Sequence, residues 1–482
     1  MLSRRALLAS GVAALAAPPL PARAQTPGDG EQGAPTILRL GRRDIEVNGK
    51  PASVYGIRQP DGTFGVRTEV GKPFRVRVEN GIDERSLIHW HGMTPPWRQD
   101  GVPGISGPPI VAGGSTDYDF PLRFGGSFWM HSHQGLQEQR LMAAPLIIHD
   151  ERDRAHRQEV VVMLADFSFT PSEQIFENLK KSASMTGMAK PAGATASMSG
   201  MMKAAPMSKG APKPDLNDVK YDAFLANDRT LADPEIIKVE PGGRVLLRII
   251  NSSSMSAYHV GLGALEGDLI AVDGFAIAPV RGRKFPLAVA QRLDIRLSLP
   301  SGPGAYPVFA QLEGEREQTG IVLVAGGAPV SRVAGAADAP SPALTLDLER
   351  TLRAERPLVA RKADRVHTLE LTGEMAGYVW SINNVAWNKD VPPLLVAEGE
   401  RVELVFVNRT PMPHPMHLHG HEFEVVEIDG ERFPGAVRDT VLVTPGKRVV
   451  VAFDANNPGW WALHCHLLYH LEAGMFTTLR YV

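Results

Sequence analysis

The sequence predicts an all-β protein built from three Greek-key β-sandwich domains. Three observations carry that expectation. Apolar and polar residues alternate in short segments such as Pro73-Phe74-Arg75-Val76-Arg77-Val78, Arg244-Val245-Leu246-Leu247-Arg248-Ile249-Ile250 and Arg401-Val402-Glu403-Leu404-Val405-Phe406-Val407, the pattern of strands with one face buried. Forty-seven glycines and 39 prolines supply turns between them, as antiparallel sandwiches require. The same three segments also form a repeat. Each follows a glycine (Gly71, Gly242, Gly399) and leads to an asparagine (Asn80, Asn251, Asn408), with starts about 160–170 residues apart, close to one domain length.

In chain order, residues 1–24 read as an export signal. Ser3-Arg4-Arg5 precedes an apolar run from Ala6 to Ala17 and a small-residue cleavage site, Ala22-Arg23-Ala24. The paired arginines point to the twin-arginine export machinery, and the run is too short for an anchor. A periplasmic or otherwise exported protein with no membrane span in the mature chain is expected. Residues 36–150 form the expected first cupredoxin-like sandwich, and residues 157–328 the second. The second carries an insertion, 183–215, rich in Met, Ala, Ser, Gly, Pro and Lys, with Met185, Met188, Met198, Met201, Met202 and Met207. Residues 329–345 are small and Pro-rich and read as a linker, and 346–482 form the third sandwich. A net charge of −2 argues against nucleic acid or an anionic membrane as partner, and a monomer is expected.

The chemistry lies in four clusters that hold eleven of the 15 histidines: His89-Trp90-His91-Gly92, His131-Ser132-His133, His414-Pro415-Met416-His417-Leu418-His419-Gly420-His421, and His464-Cys465-His466 with His470 and Met475 downstream. Residues i and i+2 of a strand share a face. Each His-x-His pair therefore aims two imidazoles into one space, and four converging pairs supply eight ligands, enough for three metal ions with positions left open. Cys465, the only cysteine, cannot form an internal disulfide and must face away from its two flanking histidines. There it can join His414, His470 and a more distant Met475, the ligand set of a blue electron-transfer copper. Zinc is the main rival for His and Cys, but zinc has little use for a His-Cys-His split across two faces. His421 exceeds the eight and is read as an outer partner of the ligands. His149, His156, His259 and His367 stand alone and are read as surface or hydrogen-bonded residues.

These motifs resemble the multicopper oxidase family position by position. The resemblance covers nearly all of the mature chain, and within the family it is most similar to the bacterial copper-resistance protein A type, through Gly126 to Gln139 and His464 to Met475. It implies four copper ions. His89 and His417 would hold the type 2 copper; His91, His131 and His466 one type 3 copper; His133, His419 and His464 the other; and His414, Cys465, His470 and Met475 the type 1 copper. Asp100 corresponds to a family position for a proton-supplying acid, although Asp100-Gly101 also fits a plain turn. One departure is Leu471, where some cuprous oxidases carry a glutamate; here Glu472 comes one residue later.

The expected activity is oxidation of Cu(I), and of phenols, with reduction of dioxygen to water, in copper tolerance. Thioether sulfur suits Cu(I), so the methionines at 185–207 are read as gathering it. A laccase-like oxidase of aromatic substrates is the alternative enzyme. A periplasmic copper-binding or storage protein is the alternative without catalysis; it would need no twelve ligands in this register.

Overall fold

The repeated segments become the same strand in each sandwich. In the computed structural model, which describes residues 34–155, 158–186 and 216–482, Pro73–Asn80 pairs parallel with Thr36–Val47 and antiparallel with Ser115–Pro121. Arg244–Asn251 pairs parallel with Gln158–Phe167 and antiparallel with Arg292–Ser298. Arg401–Asn408 does so with Arg365–Glu374 and Arg448–Asp454. The glycine before each strand has a left-handed φ of 90°, 69° or 86° (Gly71, Gly242, Gly399), which L side chains rarely adopt.

The asparagine that ends each strand has one task in all three copies. Asn80 Oδ1 accepts the Ile82 N–H, while Nδ2 donates to the carbonyls of Glu84 and Ile110. Asn251 accepts from Ser253 and donates to Ser256 and Leu287. Asn408 accepts from Thr410 and donates to Met412 and Val443. Each amide closes a buried corner whose backbone groups would otherwise lack partners, so the Gly-to-Asn spacing is an architectural signature.

Six sheets result, in three pairs drawn from residues 36–149, 158–325 and 365–481. The chain is thus all-β, with three cupredoxin-like Greek-key sandwiches. Buried aliphatic and aromatic side chains fill each sandwich, for example Leu38, Val76, Trp90 and Met130 in the first and Leu247, Ile295 and Leu323 in the second. Among the described residues no helix is long and apolar enough to cross a membrane.

One element was not anticipated. Ser172–Thr186 is a helix that packs Ile175, Phe176 and Leu179 on the core of the third sandwich. Its apolar residues are few and its sequence leads into the Met-rich stretch, so no strong period of its own announces it. The export signal 1–24, His156 and Met188, Met198, Met201, Met202 and Met207 lie outside the described residues, and the Met185 side chain likewise.

Candidate metal centre

The four His-x-His pairs sit at the ends of strands from the first and third sandwiches. His89 and His91 close the strand Ile88–His91, and His131 and His133 end or follow Gly126–Ser132. His417 and His419 end or follow His414–Leu418, and His464 and His466 do the same for Trp460–Cys465. Register sets them opposite one another: His89 faces His131, and His417 faces His464. All eight converge across the two sandwiches. His417 Nε2 lies 3.4 Å from His89 Nε2, and His464 Nε2 lies 3.3 Å from His133 Nε2 and 2.9 Å from His419 Nε2.

Hydrogen bonds decide which nitrogen six of the eight rings leave free. Nδ1–H of His89 donates to the Asp100 carbonyl at 2.8 Å, and Nδ1–H of His419 to Asp100 Oδ2 at 2.8 Å. His417 Nδ1–H donates to the Asp439 carbonyl at 2.9 Å, and His464 Nδ1–H to that of Cys465 at 2.9 Å. His131 Nδ1–H meets Glu138 Oε2 at 2.8 Å, and the other oxygen of Glu138 lies 3.9 Å from His466. His91 is inverted: Nε2–H donates to Asp439 Oδ1 at 3.0 Å. Three buried acids thus orient the rings: Asp100 and Asp439 each hold two, through carboxylate and carbonyl, and Glu138 holds His131. Asp439 has no motif around it, and Glu138 stands only within the resembling stretch. Asp100 contacts two rings and is followed by Gly101 with φ 86°.

The free nitrogens fit a metal. His91 Nδ1, His131 Nε2 and both nitrogens of His466 are buried without a hydrogen-bond partner, an arrangement rare for buried polar atoms unless an ion or catalytic role explains it. Burial first, and repulsion between neighbouring imidazoles second, holds His91, His133, His419, His464 and His466 well below the ordinary histidine range. They are neutral, with lone pairs ready for a cation. A cavity of about 420 Å³ reaches His131, His133, His464 and His466 and passes Glu138 and Glu472.

On the opposite face of the Trp460–Cys465 strand, Cys465 Sγ lies 3.6 Å from His414 Nδ1 and 3.9 Å from His470 Nδ1, and those two nitrogens are 3.2 Å apart. The short helix Leu468–Glu472 returns His470, and Gly474 (φ 116°) turns the chain so that Cys465 N–H donates to the Met475 carbonyl at 3.1 Å. Met475 is fully buried. The outer nitrogens are fixed by His414 Nε2–H on Thr410 Oγ1 at 2.7 Å and His470 Nε2–H on Asp218 Oδ2 at 3.0 Å. Trp380 stacks on His470 at 4.0 Å. Burial pushes the Cys465 thiol up, so a metal must displace its proton.

A soft N₂S set back to back with eight imidazoles is a copper arrangement. Models of the multicopper oxidase family match residues 44–153, 158–326 and 361–482. The chain belongs to the multicopper oxidases. It is 30% identical to multicopper oxidase MmcO of Mycobacterium tuberculosis, over 98% of this chain and 92% of that protein. It is 27% identical to copper resistance protein A of Escherichia coli, over 93% of each. The fold is similar to that of Fet3p, a multicopper oxidase that functions in iron import (TM-score 0.75, 19% identity, 92% of this chain and 90% of that one). It is also similar to a multicopper oxidase from Pseudomonas thermotolerans (TM-score 0.69, 22% identity, 93% and 99%). The protein is therefore an oxidoreductase with copper cofactors.

The remaining described histidines of this oxidase have ordinary partners. His421 bonds the His419 carbonyl and the Tyr481 hydroxyl, and burial lowers it to about 4. His149 meets Glu159, His259 the Pro342 carbonyl and His367 the Leu395 carbonyl. Asp218, which has no motif around it, was missed from sequence.

Proposed function

We propose that this multicopper oxidase oxidises Cu(I) and passes the electrons to dioxygen, in the service of copper tolerance after export through residues 1–24. In this reading His414, Cys465, His470 and Met475 hold the type 1 copper. His89 and His417 hold the type 2 copper, His91, His131 and His466 one type 3 copper, and His133, His419 and His464 the other. Bound, the four coppers would accept single electrons at one site and deliver four to dioxygen at the other.

The chain's own atoms provide the rest. Cys465 joins the two sites directly, since its neighbours in sequence belong to the cluster and its carbonyl also accepts from His464 Nδ1–H. Asp100, buried, fixes His89 and His419, and in this reading it is the acid that serves proton transfer beside them. The observation that carries Cu(I) as reductant is where the Met-rich stretch is anchored. Before it, Phe176 of the helix Ser172–Thr186 stacks on Tyr469 at 5.9 Å and meets Tyr378 edge-on. After it, Asp218 accepts from both His470 Nε2–H at 3.0 Å and Tyr378 O–H at 2.6 Å. Both anchors therefore touch the type 1 surroundings, where soft thioethers could deliver Cu(I).

Metal analysis of the purified, copper-loaded chain is expected to give four coppers and an intense blue absorption that Cys465→Ser abolishes. Deleting residues 187–209 is expected to depress Cu(I) oxidation and spare phenol oxidation. Unchanged Cu(I) turnover in the deletion, with phenols oxidised well, would favour the laccase-like alternative.

A further inference from the structure

The ligand set comes from the first and third sandwiches, yet the second places a cation against it. Arg292 opens the strand Arg292–Ser298 of the second sandwich and is fully buried. Its guanidinium makes five hydrogen bonds. Nε donates to the Ser127 carbonyl at 3.0 Å, Nη1 to the Ala290 carbonyl at 3.1 Å and to Asp439 Oδ1 at 2.8 Å. Nη2 donates to the Asp273 carbonyl at 2.9 Å and to Asp439 Oδ2. Five donors with five acceptors leave this fork one orientation. Ser127 belongs to the strand that carries His131, and Asp439 precedes Thr440, the register partner of His417.

We infer that Arg292 is a positioning residue for the histidine cluster, acting through Asp439 to set which ring nitrogens His91 and His417 present. The inference rests on the copper reading above. Among the eight converging histidines that are described, only His91 is tied to a carboxylate by Nε2: its Nε2–H donates to Asp439 Oδ1 at 3.0 Å, which turns Nδ1 toward the other rings. Its carbonyl ties His417 by Nδ1 and turns Nε2 inward. Rotation of the Asp439 carboxylate would release His91 to the opposite tautomer and ring orientation. The fork of Arg292 prevents that rotation by holding both oxygens.

A separate observation supports the pair's fixed place. Gly92, which follows His91, has φ 84°, and a Cβ there would lie 2.5 Å from Arg292 Nη2 and 2.6 Å from Asp439 Oδ2. The glycine of the first motif is thus moulded around the ion pair, so the motif records the second sandwich although that sandwich supplies no ligand.

The test uses the full copper-loaded chain and the variants Arg292→Lys and Arg292→Gln. Lysine keeps the charge but cannot form the planar five-bond fork. The blue absorption reports on the type 1 site, whose residues all belong to the third sandwich, and so on folding. Copper count, the type 2 electron paramagnetic resonance signal and the near-ultraviolet type 3 band report on the cluster. Arg292→Lys is expected to keep the blue band and lose cluster copper to a chelator about 10–100-fold more readily, the usual cost of losing an outer-shell partner. Arg292→Gln, if it folds, is expected to lose more. Wild-type chelator resistance and unchanged cluster spectra in Arg292→Lys would overturn the inference. So would parallel loss of the blue band and the cluster signals in Arg292→Lys, which marks a purely structural role. A wild-type chain without cluster copper would instead defeat the functional reading itself.

Discussion

Replacing Glu313 with glutamine should change how stability depends on pH, in a direction fixed by the structure. Glu313 is 2% exposed, and Leu344 N–H donates to its Oε1 at 2.6 Å. It lines a cavity of about 20 Å³ with Asp218, Met255 and Met412. Burial pushes its carboxyl up from 4.5 to about 7, against the smaller opposing effect of the Leu344 hydrogen bond. Below 4.5 both folded and unfolded chains hold the proton and nothing is lost. Between 4.5 and about 7 only the unfolded chain ionises, so folding weakens as pH rises; above about 7 the full loss persists. From these two values the loss is about 0.8 kcal/mol at about pH 5 and about 3 kcal/mol at about pH 8. Glutamine is of the same size, is always neutral and can still accept the Leu344 N–H. Glu313→Gln should therefore gain about 2.5 kcal/mol on wild type between those two pH values. Denaturant unfolding of both chains at each pH measures that difference. A difference that stays constant within about 0.5 kcal/mol would refute burial as the dominant influence on this carboxyl.

Three further outcomes are expected. Asp218→Asn removes the charge that meets His470 and Tyr378 and should lower kcat/KM for Cu(I) by about 10–100-fold while lowering phenol oxidation less; equal losses would assign Asp218 to seating the type 1 site alone. Gly92→Ala forces a left-handed φ on a side chain and crowds the Arg292–Asp439 pair, and thermal unfolding should show a destabilisation of about 2–6 kcal/mol; wild-type stability would mean the pair moves freely. Because the buried Cys465 thiol must lose its proton, type 1 copper affinity, followed by the blue band, should rise about tenfold per pH unit through the neutral range; a pH-independent affinity would contradict a protonated resting thiol.

The converging histidines were legible because each pair is local. His-x-His is a two-residue pattern whose meaning follows from strand geometry alone, and the Gly71-to-Asn80 type of repeat is equally local, since the asparagine closes a corner only a few residues long on one side. What stayed hidden acts across the chain. Arg292 and Asp439 are 147 residues apart, and Asp218 and His470 are 252 apart. Neither acid lies in a distinctive local sequence, so only the packing of sandwiches reveals them. The helix Ser172–Thr186 is a milder case: its three apolar contacts become meaningful only once the third sandwich offers a surface for them.

The strand Trp460–Cys465 has a consequence for how the oxidase is made. His464 and His466 complete one set of converging side chains, and Cys465 and His470 complete the other. A growing chain that has not yet produced this strand carries six cluster histidines and His414, but no thiolate and no closed set. In the copper reading, tight metal capture thus waits until this strand exists, and a chain interrupted before it could not assemble a redox-active centre. In the copper reading, metal uptake would thereby report that this one strand has been made and packed.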